Sequence, residues 1–162
     1  ERERLAELRS LANYVIDTSS LKVAEMNSEL DKLFESKTKK DTFVINFMSF
    51  GYKHGMPTEA DWVIDVRFIP NPYYVSSLKR LTGNNKKVAQ YVMKQDVTKE
   101  FVNRIQEIIT RLVPCYVKEG KYSLTVAFGC TGGQHRSVTL ANEFYKIFTS
   151  QGWRVTLEHR EL

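Results

Sequence analysis

Apolar residues fall in blocks whose spacing changes along the chain. Phe43 to Met48 is a mostly apolar run, Trp62 to Phe68 alternates, and Leu124 to Phe128 is again nearly all apolar; each reads as a strand. Between the second and third, Phe101, Val102, Ile105, Ile108, Ile109 and Leu112 recur at helical spacing, predicting a helix from about Thr98 to Val113 that Pro114 ends. A second helical pattern follows the third run, with Val138, Ala141, Phe144, Tyr145 and Phe148 facing inward and Gly152 closing it. Val155 and Leu157 alternate as a last strand. Ile69-Pro70-Asn71-Pro72 must break the second strand because proline lacks an N–H donor, and residues 73–97 read as irregular, with a turn at Thr82-Gly83-Asn84-Asn85. Strands alternating with helices predict an α/β fold with a mostly parallel central sheet flanked by helices.

Residues 1–36 read as a separate unit. Leu5, Leu8, Leu11 and Ala12 form a short helical stripe, Tyr14-Val15-Ile16 a strand fragment stopping at Asp17-Thr18-Ser19-Ser20, and Met26, Leu30, Leu33 and Phe34 one face of a second helix. Ser36 to Asp41 is polar and lysine-rich, as expected of a linker. A lone strand with two helices cannot bury both strand faces, so this segment is expected to belong to a larger domain or to pack on a partner.

The order of strands, loops and helices places three polar loops at the carboxyl ends of a parallel sheet, where open α/β sheets bind ligands: 49–55, 69–74 and 129–137. The last is the richest. Cys130, Thr131, Gly132, Gly133, Gln134, His135, Arg136 and Ser137 stand between a strand and a helix. Glycines let backbone N–H groups converge, the helix points its positive end at the loop, and an arginine can fork onto a phosphate. Thr131 and Ser137 would add hydroxyl hydrogen bonds, and His135 would touch ligand or orient the loop. The competing account is a tight turn in which Gly132 and Gly133 serve packing alone.

Cys130 and Arg136 are separated by five residues with Ser137 next, a Cys-x5-Arg-Ser spacing similar to the phosphate loop of cysteine-dependent phosphatases. There the thiol would be a thiolate nucleophile. Gly129 stands where those enzymes usually carry His, and the only general-acid candidates are Asp61 and Asp65; otherwise Cys130 is a small inert residue in a tight place. Val63, Asp65 and Arg67 share one strand face, as a structural ion pair in a buried sheet or as part of the site. Asn71, Tyr73 and Tyr74 follow the strand end, where a tyrosine stacks on a sugar or base or simply packs. Lys53, near Gly51, could reach a phosphate; His54 reads as surface.

Composition adds limits. The 162 residues suffice for one well-buried domain plus an extra segment. With 42% apolar and 27% charged residues the chain is ordinary for a globular protein. No apolar run approaches the ~20 residues that span a membrane, and no signal-peptide pattern precedes the fold. Cys115 and Cys130 make no disulfide framework and fit a reducing cytoplasm. The net charge of +5 is spread over small groups such as Lys37, Lys39 and Lys40, or Lys86 and Lys87, a solvated face more than a nucleic-acid stripe. Opening at Glu1 rather than Met is expected of a fragment or a processed product.

Ser49-Phe50-Gly51-Tyr52-Lys53 with Gly55, then Ala60-Asp61, Asp65-Val66-Arg67-Phe68-Ile69-Pro70-Asn71-Pro72 and Gly129 to Val138 resemble, in words and in order, the carboxy-terminal domain of the RapZ/YvcJ family. Val15-Ile16-Asp17-Thr18-Ser19 look like the end of the family's P-loop domain, so 1–40 is expected to be the tail of that domain with its linker and 41–162 the metabolite-binding domain. Members are regulators; some bind small RNAs as RNase adapters, and some sense glucosamine phosphate or a UDP-linked N-acetyl sugar. The resemblance implies a metabolite phosphate at Thr131, Gly132 and Arg136 and a role for the residue after Asn71-Pro72. The RNA-binding branch carries His there and is more basic at its end; here stand Tyr73 and Glu158-His159-Arg160-Glu161-Leu162, which favours the metabolite over RNA. The expected protein is a cytoplasmic regulator binding a phosphorylated amino sugar or UDP-N-acetylglucosamine, with no cofactor, metal or catalytic residue. Its expected partners are the P-loop domain and a second copy of the chain; small-RNA binding and the phosphatase are the alternatives.

Overall fold

A computed structural model describes residues 15–33 and 43–162. Its contacts divide the chain into Glu1–Ser36 and Lys37–Leu162. In the first unit, Asp17 accepts from Ser19 N and Oγ at 2.9 and 2.6 Å. Helix α1 follows at Val23–Leu33, and the Glu25 carboxylate accepts from Lys22 N at 2.8 Å, satisfying one of the donors a helix start leaves free. The strand expected around Val15-Ile16 does not form among the described residues: this stretch is irregular, with no neighbouring strand to pair its backbone. The stripe at 5–12, Tyr14, Phe34 and the linker at 36–41 lie outside the described residues.

The second unit holds strands β1 (Val44–Gly51), β2 (Trp62–Asp65), β3 (Ser123–Cys130) and β4 (Arg154–His159), and helices α2 (Lys86–Met93), α3 (Asp96–Lys118) and α4 (Arg136–Ser150). The four strands form one sheet in the order β2-β3-β1-β4, every pairing parallel. Val44 lies opposite both Ser123 and Arg154, so β3 and β4 flank β1 in step.

Because strand side chains alternate, the register sorts the residues by face. Ile45 and Phe47 of β1 join Leu124, Val126 and Phe128 of β3 against Val102, Ile109 and Val113 of α3 and Leu140, Phe144 and Phe148 of α4. Rings make the centre of this core: Phe128 and Phe144 stack with centroids 4.9 Å apart, and Phe47 lies 5.6 Å from Phe144. The opposite face is covered only in part. Met48, Phe50 and Ala127 form a small cluster with Tyr52 and Ala60 packed on it. Beside it runs a polar ladder, Thr156 Oγ1 donating to Asn46 Oδ1 at 2.6 Å and Asn46 Nδ2 to Thr125 Oγ1 at 3.1 Å.

Three expectations change. Within 73–97, a stretch that reads as irregular, α2 forms on an Asn85 cap to Lys87 N (3.0 Å), burying Val88 and Val92. Only two of its eight positions are fully buried, too few for the periodicity to show. Helix α3 runs through Pro114 rather than stopping there, because Tyr116 and Val117 in its last turn pack on the core and Tyr116 accepts from Trp62 Nε1 at 3.0 Å. Strand β2 ends at Asp65, three residues early, where Ile69 N turns back to Val66 O at 3.3 Å.

Candidate functional site

β1 and β3 lie side by side, and the chain leaves them in different directions: β1 into a short 3-10 turn at Tyr52–His54, β3 through the loop 131–135 into α4. A third segment, the turn Pro72–Tyr74, comes from beyond β2, with Asn71 Oδ1 accepting from Tyr73 N at 3.2 Å. These three segments enclose one cavity of about 340 Å³. Lys53 comes from the first, Asn71, Tyr73 and Tyr74 from the third, and Cys130, Thr131, Gly132, Gln134, His135 and Arg136 from the second. The sheet's carboxyl edge thus brings together the polar loops expected there.

Close backbone approach shapes the floor. A Cβ on Gly51 would lie 2.7 Å from both Gly132 C and Gly133 N, so β1 and the loop touch main chain to main chain. Gly133 takes a left-handed φ of +71°, open to glycine without penalty. Behind the loop, Gly83 N donates to Gln134 O at 2.8 Å and anchors the start of α4.

Arg136 opens α4 and is only 5% exposed. Its Nη1 donates to the carbonyls of Arg67 and Ile69, both at 3.0 Å, and its Nη2 to Thr131 Oγ1 at 3.4 Å. Its Nε has no partner among the described residues. One end of the guanidinium is therefore locked to main chain, while the Nε–Nη2 edge holds only the long Thr131 contact. His135 is 8% exposed and likewise leaves Nε2 without a partner among the described residues. The Lys53 ammonium lies 3.9 Å from where a Cβ would sit on Gly132. Two buried, unsatisfied nitrogens on residues that line one cavity are costly to a folded protein unless something else meets them.

The loop amides do not all open toward the cavity. Ser137 Oγ lies 3.1 Å from Cys130 Sγ, and the N–H groups of Ser137, Gly133 and His135 also point at that sulfur. Burial pushes the Cys130 thiol up, but the Ser137 hydroxyl and these N–H groups outweigh it, and the net shift is downward. Three of the loop N–H groups expected to converge on an anion are gathered around this sulfur.

Gly51, Gly133 and Ser137 support the loop from behind without lining the cavity. Asp65 and Arg67, expected as charges within a buried sheet, pair with each other at the surface: Arg67 Nε reaches Asp65 Oδ1 at 3.0 Å and Nη2 reaches Oδ2 at 2.6 Å, with side chains 48% and 43% exposed. The reason is that β2 is an edge strand and its face there is bare. What Arg67 lends the site is its carbonyl. Hydrogen bonds from Arg67 hold the Asp65 carboxyl below the usual carboxylate range. Asp61 lies at the opposite, amino edge, bound to Lys121 and to Thr125 N, so it is remote from the cavity. His54 is exposed, as expected.

Sequence reasoning missed Glu161. Arg160 N donates to Ser49 O at 3.1 Å, bringing the end of the chain to the sheet edge, where the Glu161 carboxylate packs on Gly133 with Oε2 buried. Nothing in its local pattern distinguishes it from a solvated charge. Among the described residues no cluster could hold a metal ion, and no helix is long and apolar enough to cross a membrane.

Comparison with known proteins adds lineage. Residues 43–162 match the family described as RapZ C-terminal domain. A nucleotide-binding protein of Caldanaerobacter subterraneus is 48% identical over 162 residues, covering 100% of this chain and 57% of that protein. One of Alkaliphilus oremlandii is 46% identical over 161 residues (99% and 56%), and one of Clostridium acetobutylicum 45% identical over 163 residues (100% and 55%). The chain spans a little over half the length of these curated relatives.

Proposed function

The chain belongs to the RapZ C-terminal domain family, and from that premise we propose that it is a regulatory domain sensing a phosphorylated amino sugar or UDP-N-acetylglucosamine in the cavity above the Gly-rich loop. One observation carries the reading: the half-anchored, buried Arg136, whose Nε–Nη2 edge is preset for two acceptor oxygens. A guanidinium held by two carbonyls loses little freedom when an anion arrives, so its binding energy is not spent on ordering. Lys53 adds charge above the loop and Thr131 a hydroxyl. Tyr73 and Tyr74, in edge contact at 5.9 Å, supply apolar surface for a sugar ring or base. The relatives' description as nucleotide-binding proteins supports the UDP-linked form.

The mechanism is a binding switch. A ligand shifts the domain between states only by its differential affinity for them. The recipient of that shift is the P-loop domain expected to precede the linker.

Calorimetry with glucosamine phosphate, UDP-N-acetylglucosamine and inorganic phosphate tests the reading. Arg136→Ala is expected to weaken binding by about 2 kcal/mol, roughly 30-fold. Lys53→Ala, on an exposed side chain, checks the same site without touching the core. Affinities unchanged in both variants reject the site. Binding of small structured RNA that falls steeply with salt and ignores the sugars would favour the adapter alternative instead.

A further inference from the structure

Binding an anion makes no use of the sulfur beneath it. Cys130 ends β3 on the cavity wall, with Ser137 Oγ at 3.1 Å and three main-chain N–H groups turned toward Sγ. A neutral thiol is a weak acceptor and gives little reason to gather three N–H donors; a thiolate is a strong one. Arg136 and His135 line the same cavity, and each keeps one buried nitrogen, Nε and Nε2, without a partner among the described residues. A cysteine whose sulfur gathers main-chain N–H groups, a guanidinium and an imidazole lining one cavity are the parts of a phosphoryl-transfer site.

We propose that Cys130 attacks the phosphorus of a phosphomonoester held on Arg136, forming a phosphocysteine that water then hydrolyses. This rests on the reading of the cavity as a phosphate site and adds chemistry to it. In the first step the Sγ–P bond forms as the P–O bond to the alcohol breaks, and the departing oxygen takes a proton from the His135 ring. In the second, water attacks the phosphorus and gives a proton back to His135; the Sγ–P bond breaks, leaving inorganic phosphate and the thiolate. Ser137 is a positioning residue, stabilising the thiolate as it leaves. Neither carboxylate weighed for the acid can serve: Asp61 is at the far edge of the sheet, and Asp65 is tied to Arg67. Gly129 takes no part, because its Cα faces the Phe50 and Tyr52 rings on the other side of the sheet.

The test uses p-nitrophenyl phosphate and phenyl phosphate with the native chain. Slow release of both alcohols is expected, together with an acid-quenched phosphoryl adduct on Cys130 found by mass spectrometry and peptide mapping. Cys130→Ser abolishes release and adduct. His135→Asn slows phenyl phosphate by roughly 10²-fold or more and p-nitrophenyl phosphate far less, because only the poorer leaving group needs the proton. A merely structural role for His135 would slow both alike, which rejects its assignment as the acid. A native protein that binds inorganic phosphate in the calorimeter yet yields neither product nor adduct overturns the chemistry and leaves the binding reading standing. One that binds no phosphate at all overturns both.

Discussion

Gly129→Ala tests how the partly covered face of the sheet supports the cavity. Gly129 lies in β3 opposite Phe50 and Asp65. A methyl there would sit 2.4 Å from Phe50 Cζ and 2.7 Å from Tyr52 Cε2. Carbon atoms pack at about 3.5–4.0 Å, so both rings must retreat by about 1 Å. Phe50 is fully buried and meets Tyr52 edge-on at 4.9 Å, so neither ring moves alone. Overpacking of this kind costs about 1–3 kcal/mol, and the smaller entropy of an unfolded alanine returns about 0.4–1 kcal/mol. The expected result is a net destabilisation of about 1–2 kcal/mol, read from urea unfolding by circular dichroism. Tyr52 also carries the Arg67 guanidinium 4.3 Å over its ring and opens the turn that bears Lys53, so ligand affinity falls as well. Gly120→Ala is the control: φ is +84° with nothing within 4 Å of an added Cβ, so it costs only backbone strain of about 1–2 kcal/mol and leaves affinity unchanged. A Gly129→Ala protein as stable as the native one, with native affinity, refutes the packing argument.

Asp61→Asn is expected to cost about 1 kcal/mol at neutral pH, a modest figure because Asp61 and Lys121 are 32% and 41% exposed. Burial raises the Asp61 pKa, but the Lys121 and Thr125 hydrogen bonds more than reverse it. A folded pKa below the unfolded value of about 3.9 gives stability that is complete above that pH and lost as pH falls further, so the gap between native and Asn proteins should close in urea titrations toward pH 3. Self-association is expected through the first unit, whose Val15 and Val23 are 54% and 72% exposed; a species that stays monomeric at high concentration in sedimentation would contradict it.

Much of the architecture was legible because it is written locally. β1 and β3 are near-continuous apolar runs, as strands buried between neighbours must be, and α4 repeats its apolar positions at helical period. The Gly-rich loop and the spacing of Cys130, Arg136 and Ser137 were also visible, since the residues of one loop are fixed by sequence distance. The strand order β2-β3-β1-β4 was not, because pairing between distant segments is chosen by the packing of the whole core. For the same reason Pro114 reads as a stop and is overridden by Tyr116 and Val117, and Asp65 and Arg67 read as buried and face water. Arg136 shows the division most plainly. Its charge and place at a helix start belong to the sequence; that two carbonyls 67 and 69 residues away hold one end of its guanidinium, while its Nε has no partner among the described residues, is decided only by the closed tertiary fold.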